Sequence, residues 1–329
     1  MKTIKVKFVG FWKGSVPERL RIYMDLSKLY DIEICDDPDY IICGCFAPYY
    51  DYCKYPQVRI MFCGENYIPD LNLVDYAICE YPIHLFDRCF YYPGCIDYKK
   101  HFMKFDAQPR HYTKELLQSK EFFASFIAGH ESEDGIRGDF FKKLSEYRRV
   151  ESAGTYLNNM ADGKTVSFAD SGKTDFQSLC KFSLCFESTK HQGFVTEKIT
   201  DAFYADTIPV YFGSEQVFSI FNEKAFIYCR GREDFERTIQ QIIELDQDDE
   251  KYLEMMNQPI LNPNFDVQKH FTEYEAFLKN IFDQPLEEAY RRSRLFHPKN
   301  HEDYLNGMSS PKTDQRSFVE KLFKYGKKT

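Results

Sequence analysis

The chain has 329 residues, 43% of them hydrophobic and 29% charged, enough to bury the cores of two domains of ordinary size. Its formal net charge of −8 excludes a protein that relies on nucleic-acid phosphate for affinity, so any phosphate site must be local. No apolar stretch reaches transmembrane length, and Met1–Lys7 interleaves Lys with apolar residues instead of building a signal-peptide core, so a cytoplasmic location is expected.

In chain order, Thr3–Phe11 alternates apolar and polar residues as a first strand would. Glu18–Leu29 then sets Leu20, Met24 and Leu29, with Ile22 and Leu26, at helical spacing. Short apolar runs at Ile32–Cys35, Tyr40–Cys43, Val58–Cys63 and Tyr76–Cys79, parted by Asp, Pro and Gly, read as further strands. The polar stretch from about Asp97 to Lys120, with Pro109, reads as a connector. A second series runs strand Glu121–Ala128, helix Phe140–Tyr147, strand Phe182–Phe186, helix Glu197–Tyr204, strand Ile208–Phe212, and helices Phe235–Leu245 and Tyr252–Met256. Strands alternating with helices imply largely parallel sheets, and two such units are expected to enclose a cleft at their carboxyl edges. The last segment, Leu286–Thr329, holds ten Lys or Arg against six Asp or Glu. It is expected to be a solvated tail or to pack back on the first domain; weak electrostatic contact with a membrane surface is the alternative.

Several patterns carry less than they promise. The eleven cysteines, eight of them between Cys35 and Cys95, show no CxxC pair and no regular spacing, so reduced thiols without metal or chemistry are expected. Gly163-Lys164-Thr165 and Gly172-Lys173-Thr174 look like the end of a phosphate-binding loop, but Asn158 and Ser167 stand where its first glycine belongs, and both read as polar turns. Asp37-Pro38-Asp39 and Asp246-Gln247-Asp248 match the DxD of metal-dependent sugar transferases, a pattern common by chance. The single Trp12 can pack at the edge of the first strand or stack on a sugar.

The strongest local signal is Leu184-Cys185-Phe186-Glu187-Ser188, followed by Gly193-Phe194-Val195-Thr196-Glu197-Lys198-Ile199 and Ile208-Pro209-Val210-Tyr211-Phe212-Gly213-Ser214. It reads as strand, glycine-bearing loop, helix and strand. Gly193 would let the backbone approach a ligand, and Thr196 would cap the helix. The helix N-terminus with Lys198 suits a pyrophosphate, while Glu197, turned about 100° away, addresses neutral hydroxyls.

Here the chain resembles the bacterial α1,3/α1,4-fucosyltransferases, glycosyltransferase family ten, whose donor signature this block follows nearly residue for residue. The resemblance extends upstream to Gly64-Glu65-Asn66 and the run Pro69–Ile78, and to Phe123-Ala124-Ser125-Phe126 with Ile136-Arg137 beyond, so that it spans about Val58 to Ser214. It implies an α/β fold of GT-B type, two Rossmann-like domains facing across a cleft. Residues 1–118 would form the N-terminal acceptor-binding domain, 119–285 the C-terminal GDP-sugar-binding domain, and 286–329 the basic C-terminal segment. The implied reaction is inverting transfer of L-fucose from GDP-fucose to a glycan acceptor such as N-acetyllactosamine, at O3 of N-acetylglucosamine.

Carried over residue by residue, Glu65 resembles the family's general base and Arg137 its pyrophosphate-binding arginine. Glu197 and Lys198 resemble its donor-contacting pair, with Glu197 orienting the donor or stabilising charge on the sugar ring. Ser188 and Phe194 occupy donor-contacting positions where Asn and Tyr are frequent, so the hydrogen bonds given from those sites are not carried over. The heptad-repeat extension of some members does not occur in the sequence. No cofactor or metal is required, since GDP is a good leaving group that cations can stabilise; a divalent cation would only stimulate GDP release. Two readings stay open beside this one: a GT-B transferase using another nucleotide sugar, and a non-catalytic glycan- or nucleotide-binding protein.

Overall fold

The computed structural model describes residues 1–96, 110–167 and 171–309, together with Phe102 and Phe105. Residues 97–101, 103–104 and 106–109 of the expected connector, and the basic segment from 310 onward, lie outside the described residues. The chain forms two compact units. One takes residues 1–79, 84–90 and the described residues from 276 on; the other takes 80–83 and 91–275.

The first unit is built on strands β1 (Thr3–Val9), β2 (Asp31–Ile34), β3 (Tyr40–Cys43), β4 (Val58–Cys63), β5 (Tyr76–Cys79) and β6 (Cys89–Tyr91), in sheet order β2-β1-β3-β4-β5-β6. The registers Val6↔Tyr40, Tyr40↔Val58 and Ile60↔Tyr76 are parallel. Every residue of β3 and β5 is buried, which is why these strands read as unbroken apolar runs, whereas the edge strand β2 is largely exposed. The expected first helix is shorter than its spacing suggested. Pro17–Arg19 forms a 3-10 turn, and helix α1 covers only Arg21–Leu26.

The second unit contains helix α2 (Lys114–Gln118), β7 (Phe122–Phe126), α3 (Ile136–Ser145), β8 (Val150–Ser152), α4 (Gly172–Ser178), β9 (Cys180–Phe186), α5 (Glu197–Tyr204), β10 (Ile208–Phe212), α6 (Val217–Ile220), β11 (Ile227–Tyr228), α7 (Phe235–Gln247) and α8 (Asp249–Met256). Its sheet order is β11-β10-β9-β7-β8, with all pairings parallel. Side chains alternate across this sheet. Phe182, Leu184 and Phe186 of β9 join Phe140 of α3 in one core, while Cys185 joins Ile199, Ala202 and Phe203 of α5 in another.

Helix α9 (Val267–Phe282) starts in the second unit and finishes in the first, and α10 (Phe296–Ser309) follows. In the first unit, the end of α9 sets Phe282 against Tyr30 and Tyr40, and Phe277 against Tyr76 and Phe90. The boundaries expected at 118/119 and 285/286 both fall earlier. Cys95 donates from its amide to Val195 O at 2.9 Å and accepts from Thr200 Oγ1 at 2.8 Å, tying the segment after β6 to α5.

Past α9 the returning chain is held by buried charge. Asp75, fully buried, accepts from the amides of Arg59, Arg291 and Arg292 at 2.7–2.8 Å and pairs with the Arg292 guanidinium. Arg59, also fully buried, donates to Tyr55, Leu73 and Cys53 carbonyls and pairs with Glu302 of α10 at 2.7 Å. All eleven cysteines are free thiols. No helix among the described residues is long and apolar enough to cross a membrane.

Candidate active site

In the second unit, β8 and β9 lie on opposite sides of β7, so the direction of winding switches between β7 and β9. Ligands of open parallel sheets bind outside the carboxyl ends of the strands at such a point. The loop after β7 leads into Arg137 on the first turn of α3, and β9 leads into Glu187.

Glu187 organises the start of α5. It is fully buried, and its amide extends the sheet ladder to Phe212 O at 2.8 Å. One carboxylate oxygen accepts from the Thr196 amide at 2.8 Å and hydroxyl at 2.9 Å; the other accepts from that hydroxyl and from Lys198 Nζ, each at 2.9 Å. Thr196 therefore occupies the N-cap position of α5 with extended backbone, but its hydroxyl turns to Glu187 and gives no side-chain cap to the helix. The expected threonine cap is replaced by a carboxylate clamp, and Thr196 gives no side-chain hydrogen bond to the first turn of α5.

Lys198 is one-quarter exposed on its side chain, and Glu197 beside it is 37% exposed. Burial pulls the Lys198 ammonium down in pKa, yet Glu187 and Glu197 together hold it well above its ordinary value. Burial works against the Glu197 carboxylate too, but Lys198 and Lys173 hold it down to about 2. Lys173 lies on α4, with Nζ 2.6 Å from Asp201 and 3.4 Å from Glu197. The Gly172-Lys173-Thr174 run is thus the start of a helix carrying a buried cation, and not a polar turn.

Arg137 is only 3% exposed. Nη1 donates to His130 O at 2.8 Å and Nη2 to Phe186 O at 3.1 Å, while the buried Nε has no hydrogen-bond partner among the described residues. Burial lowers its pKa against the pull of Glu187 and Glu131.

The loop between β9 and α5 is fixed by Gly193. Its φ is +92°, its amide donates to Ser214 Oγ at 2.9 Å, and its carbonyl accepts from Tyr91 Oη at 2.9 Å. A Cβ at 193 would lie 2.4 Å from Glu80 O, so the close approach that demands glycine is to the protein's own backbone. Phe194 is 4% exposed, its ring buried under the loop, and half-buried Ser188 accepts from the Glu133 amide through its carbonyl at 3.2 Å. A cavity of about 370 Å³ opens beside this loop, lined by Lys190, Gln192, Ser214, Glu215, Gln216 and Ser219.

Glu65 belongs to the first unit. It is exposed in the turn just past β4, where its carbonyl accepts from the Tyr67 amide at 2.6 Å. Trp12, past β1, is 53% exposed and meets Phe46 edge-on at 6.1 Å. The second DxD pattern is structural. Asp246 takes Lys181 at 2.8 Å and Arg148 at 3.0 Å, and Asp248 caps α8. Among the described residues no group of three or more His, Cys, Asp or Glu is placed to hold a metal ion.

The second unit thus brings Arg137, Glu197 and Lys198 to one strand edge, and adds Glu187 and Lys173, to which the sequence alone assigned no role in the site. Glu187 carried a usable signal, an acid directly behind an apolar strand. Lys173 stood only in a run that read as a polar turn.

Residues 6–98 match the family model of the alpha-(1,3)-fucosyltransferase FucT N-terminal domain, and residues 117–277 that of the glycosyltransferase family 10 (fucosyltransferase) C-terminal part; together they take in most of the chain. The alpha-(1,3)-fucosyltransferase FucT of Helicobacter pylori is 28% identical over 313 residues, covering 84% of this chain. The chain spans 64% of that relative's length. A crystal structure of an alpha1,3-fucosyltransferase superposes with a TM-score of 0.71 over 90% of this chain and 93% of that one, at 24% identity, which speaks for the fold. One with GDP-fucose gives a TM-score of 0.67 at 25% identity, over 85% and 92% of the two chains.

Proposed function

The chain belongs to glycosyltransferase family 10, the fucosyltransferases, and has the α/β fold of GT-B type; from that premise we propose that it is an inverting fucosyltransferase. It would move L-fucose from GDP-fucose to O3 of N-acetylglucosamine in an N-acetyllactosamine-type glycan. The observation that carries this reading is the uncapped start of α5, with Lys198 held charged by buried Glu187 at the switch point of the second unit's sheet. A nucleoside diphosphate is the ligand that such a terminus suits.

In the proposed reaction Glu65 accepts the proton of the acceptor hydroxyl as that oxygen attacks the anomeric carbon in line. General-base help of this kind is worth about 10²–10⁴-fold. Lys198 and the α5 terminus hold the pyrophosphate and stabilise the departing GDP. Arg137 joins them by exchanging a carbonyl partner for a phosphate oxygen. Glu197 accepts from donor hydroxyls or faces the charge that develops on the sugar ring. Ser188 supports the donor from the loop, and Phe194 supports it only by packing, since its ring is buried. These residues supply the cationic stabilisation themselves, so the reaction needs no metal, and a divalent cation would act on GDP release alone. We place the enzyme in the cytoplasm. Arg291 and Arg292 of the basic segment are engaged with Asp87 and Asp75, so weak contact with an anionic inner membrane surface would fall to the lysines from Lys312 onward.

The test is GDP release from GDP-fucose with and without N-acetyllactosamine, followed by mass spectrometry of the glycan. An acceptor-dependent gain of one deoxyhexose is expected. GDP binding without transfer would point instead to another nucleotide sugar or to a binding protein. Two variants divide the roles. Glu65→Ala lowers kcat by about 10²-fold or more with donor affinity unchanged. Lys198→Ala weakens GDP binding itself, read by calorimetry.

A further inference from the structure

Lys173 and its two carboxylates form a clip around the exposed acid of the site. Asp201 and Glu197 stand four residues apart on α5, so both face the same side of that helix. The Lys173 side chain is 10% exposed and Asp201 8%, a buried pair at 2.6 Å. From that anchored position the same ammonium reaches Glu197 Oε1 at 3.4 Å. Lys198 Nζ approaches the same oxygen from within α5, at 4.0 Å. A glutamate on the first turn of a helix, 37% exposed, would otherwise sample several rotamers; two cations, one of them fixed on a different helix, select among them.

We propose that Lys173 is a positioning residue that fixes the Glu197 carboxylate for the hydroxyls of the donor. This rests on the reading of Glu197 as a donor-contacting group. Lys173 touches no substrate in this scheme. It acts through Glu197, and Asp201 keeps its ammonium in place.

The experiment is a double-mutant cycle in the full-length enzyme, read by KM and kcat for GDP-fucose and by calorimetry of GDP-fucose binding. Lys173→Met/Asp201→Asn removes the cation together with its buried counter-charge at Asp201. It should raise KM for GDP-fucose roughly tenfold in the wild-type background and by less than twofold in a Glu197→Gln background, the mark of residues that act as one unit. Lys173→Arg should restore most of the loss. If the double variant does not fold, Lys173→Gln, which keeps a donor for both carboxylates without the charge, takes its place in the cycle. Losses that simply add in the Glu197→Gln background would overturn the inference and leave the donor site standing. So would a wild-type KM for the Lys173 variants while Glu197→Gln binds donor poorly. If Glu197→Gln itself binds GDP-fucose as wild type does, the donor role of Glu197 falls, and the inference with it.

Discussion

Side chains around the start of α5 alternate in sign: Asp201, Lys173, Glu197, Lys198 and Glu187 each pair with the next. Glu197 and Lys198 are the more exposed members, at 37% and 25% of their side chains, and the others brace them from inside. Removing an inner brace is therefore costly. Glu187→Ala removes the acceptor of the Thr196 amide and the buried counter-charge of the Lys198 ammonium, and should cost the second unit about 3–5 kcal/mol in urea denaturation. Glu187→Gln keeps an acceptor for Thr196 and should cost less. Glu65, Arg137, Glu197 and Lys198 stand out as candidates in the sequence because they sit inside runs whose order is itself distinctive. The braces do not, since a buried counter-ion is defined by what folds over it. Lys173 is 24 residues from Glu197 and gains its meaning only when α4 packs beside α5.

Among the elements, legibility followed burial on both faces. β3, β5 and β10 stand where unbroken apolar runs placed them, β4 where a run interrupted only by Arg59 did, and α5 where its apolar stripe did. β6 and β8 have three residues each, too few for a period to show. Helix α9 is a different case. Val267, Phe271, Tyr274, Leu278 and Ile281 are all buried and recur at steps of three and four, but polar residues between them mask the stripe. That helix carries His270, whose ring packs beside Tyr92, Phe265 and Phe271. Burial pushes the imidazole down to about 4, from an ordinary 6.5. The unfolded chain thus binds a proton below pH 6.5 that the folded chain refuses, and stability falls as the pH drops from 6.5 towards 4, then levels off. His270→Phe should flatten that slope, removing an acid loss of roughly 2–3 kcal/mol, as followed by thermal unfolding across this range.

On the scale of the whole chain, the repetition of strand and helix disclosed two α/β units, and the return of the last segment was one of two readings the sequence allowed. The limits of the units were not legible, because contacts such as Cys95 with Val195 and Thr200 assign a segment to a unit without marking its composition. The returning segment is anchored at Asp75, where the acceptors are buried and the Arg292 partner is 1% exposed on its side chain. Asp75→Ala should destabilise the first unit by about 3–5 kcal/mol and open residues 286–309 to limited proteolysis, with the second unit's unfolding unchanged.

A ribosome delivers this protein in an order its architecture does not follow. The strands of the first unit emerge early, but Phe277, Phe282 and Arg292, which pack on Tyr76, Tyr40 and Asp75, emerge only after the entire second unit. The second unit has nearly all its sequence in one continuous stretch and can close while synthesis continues. The amino-terminal sheet must wait through that interval with an apolar face uncovered. What is made earlier matures later, and the nascent chain is most exposed to aggregation and to chaperones just before α9 and α10 are released.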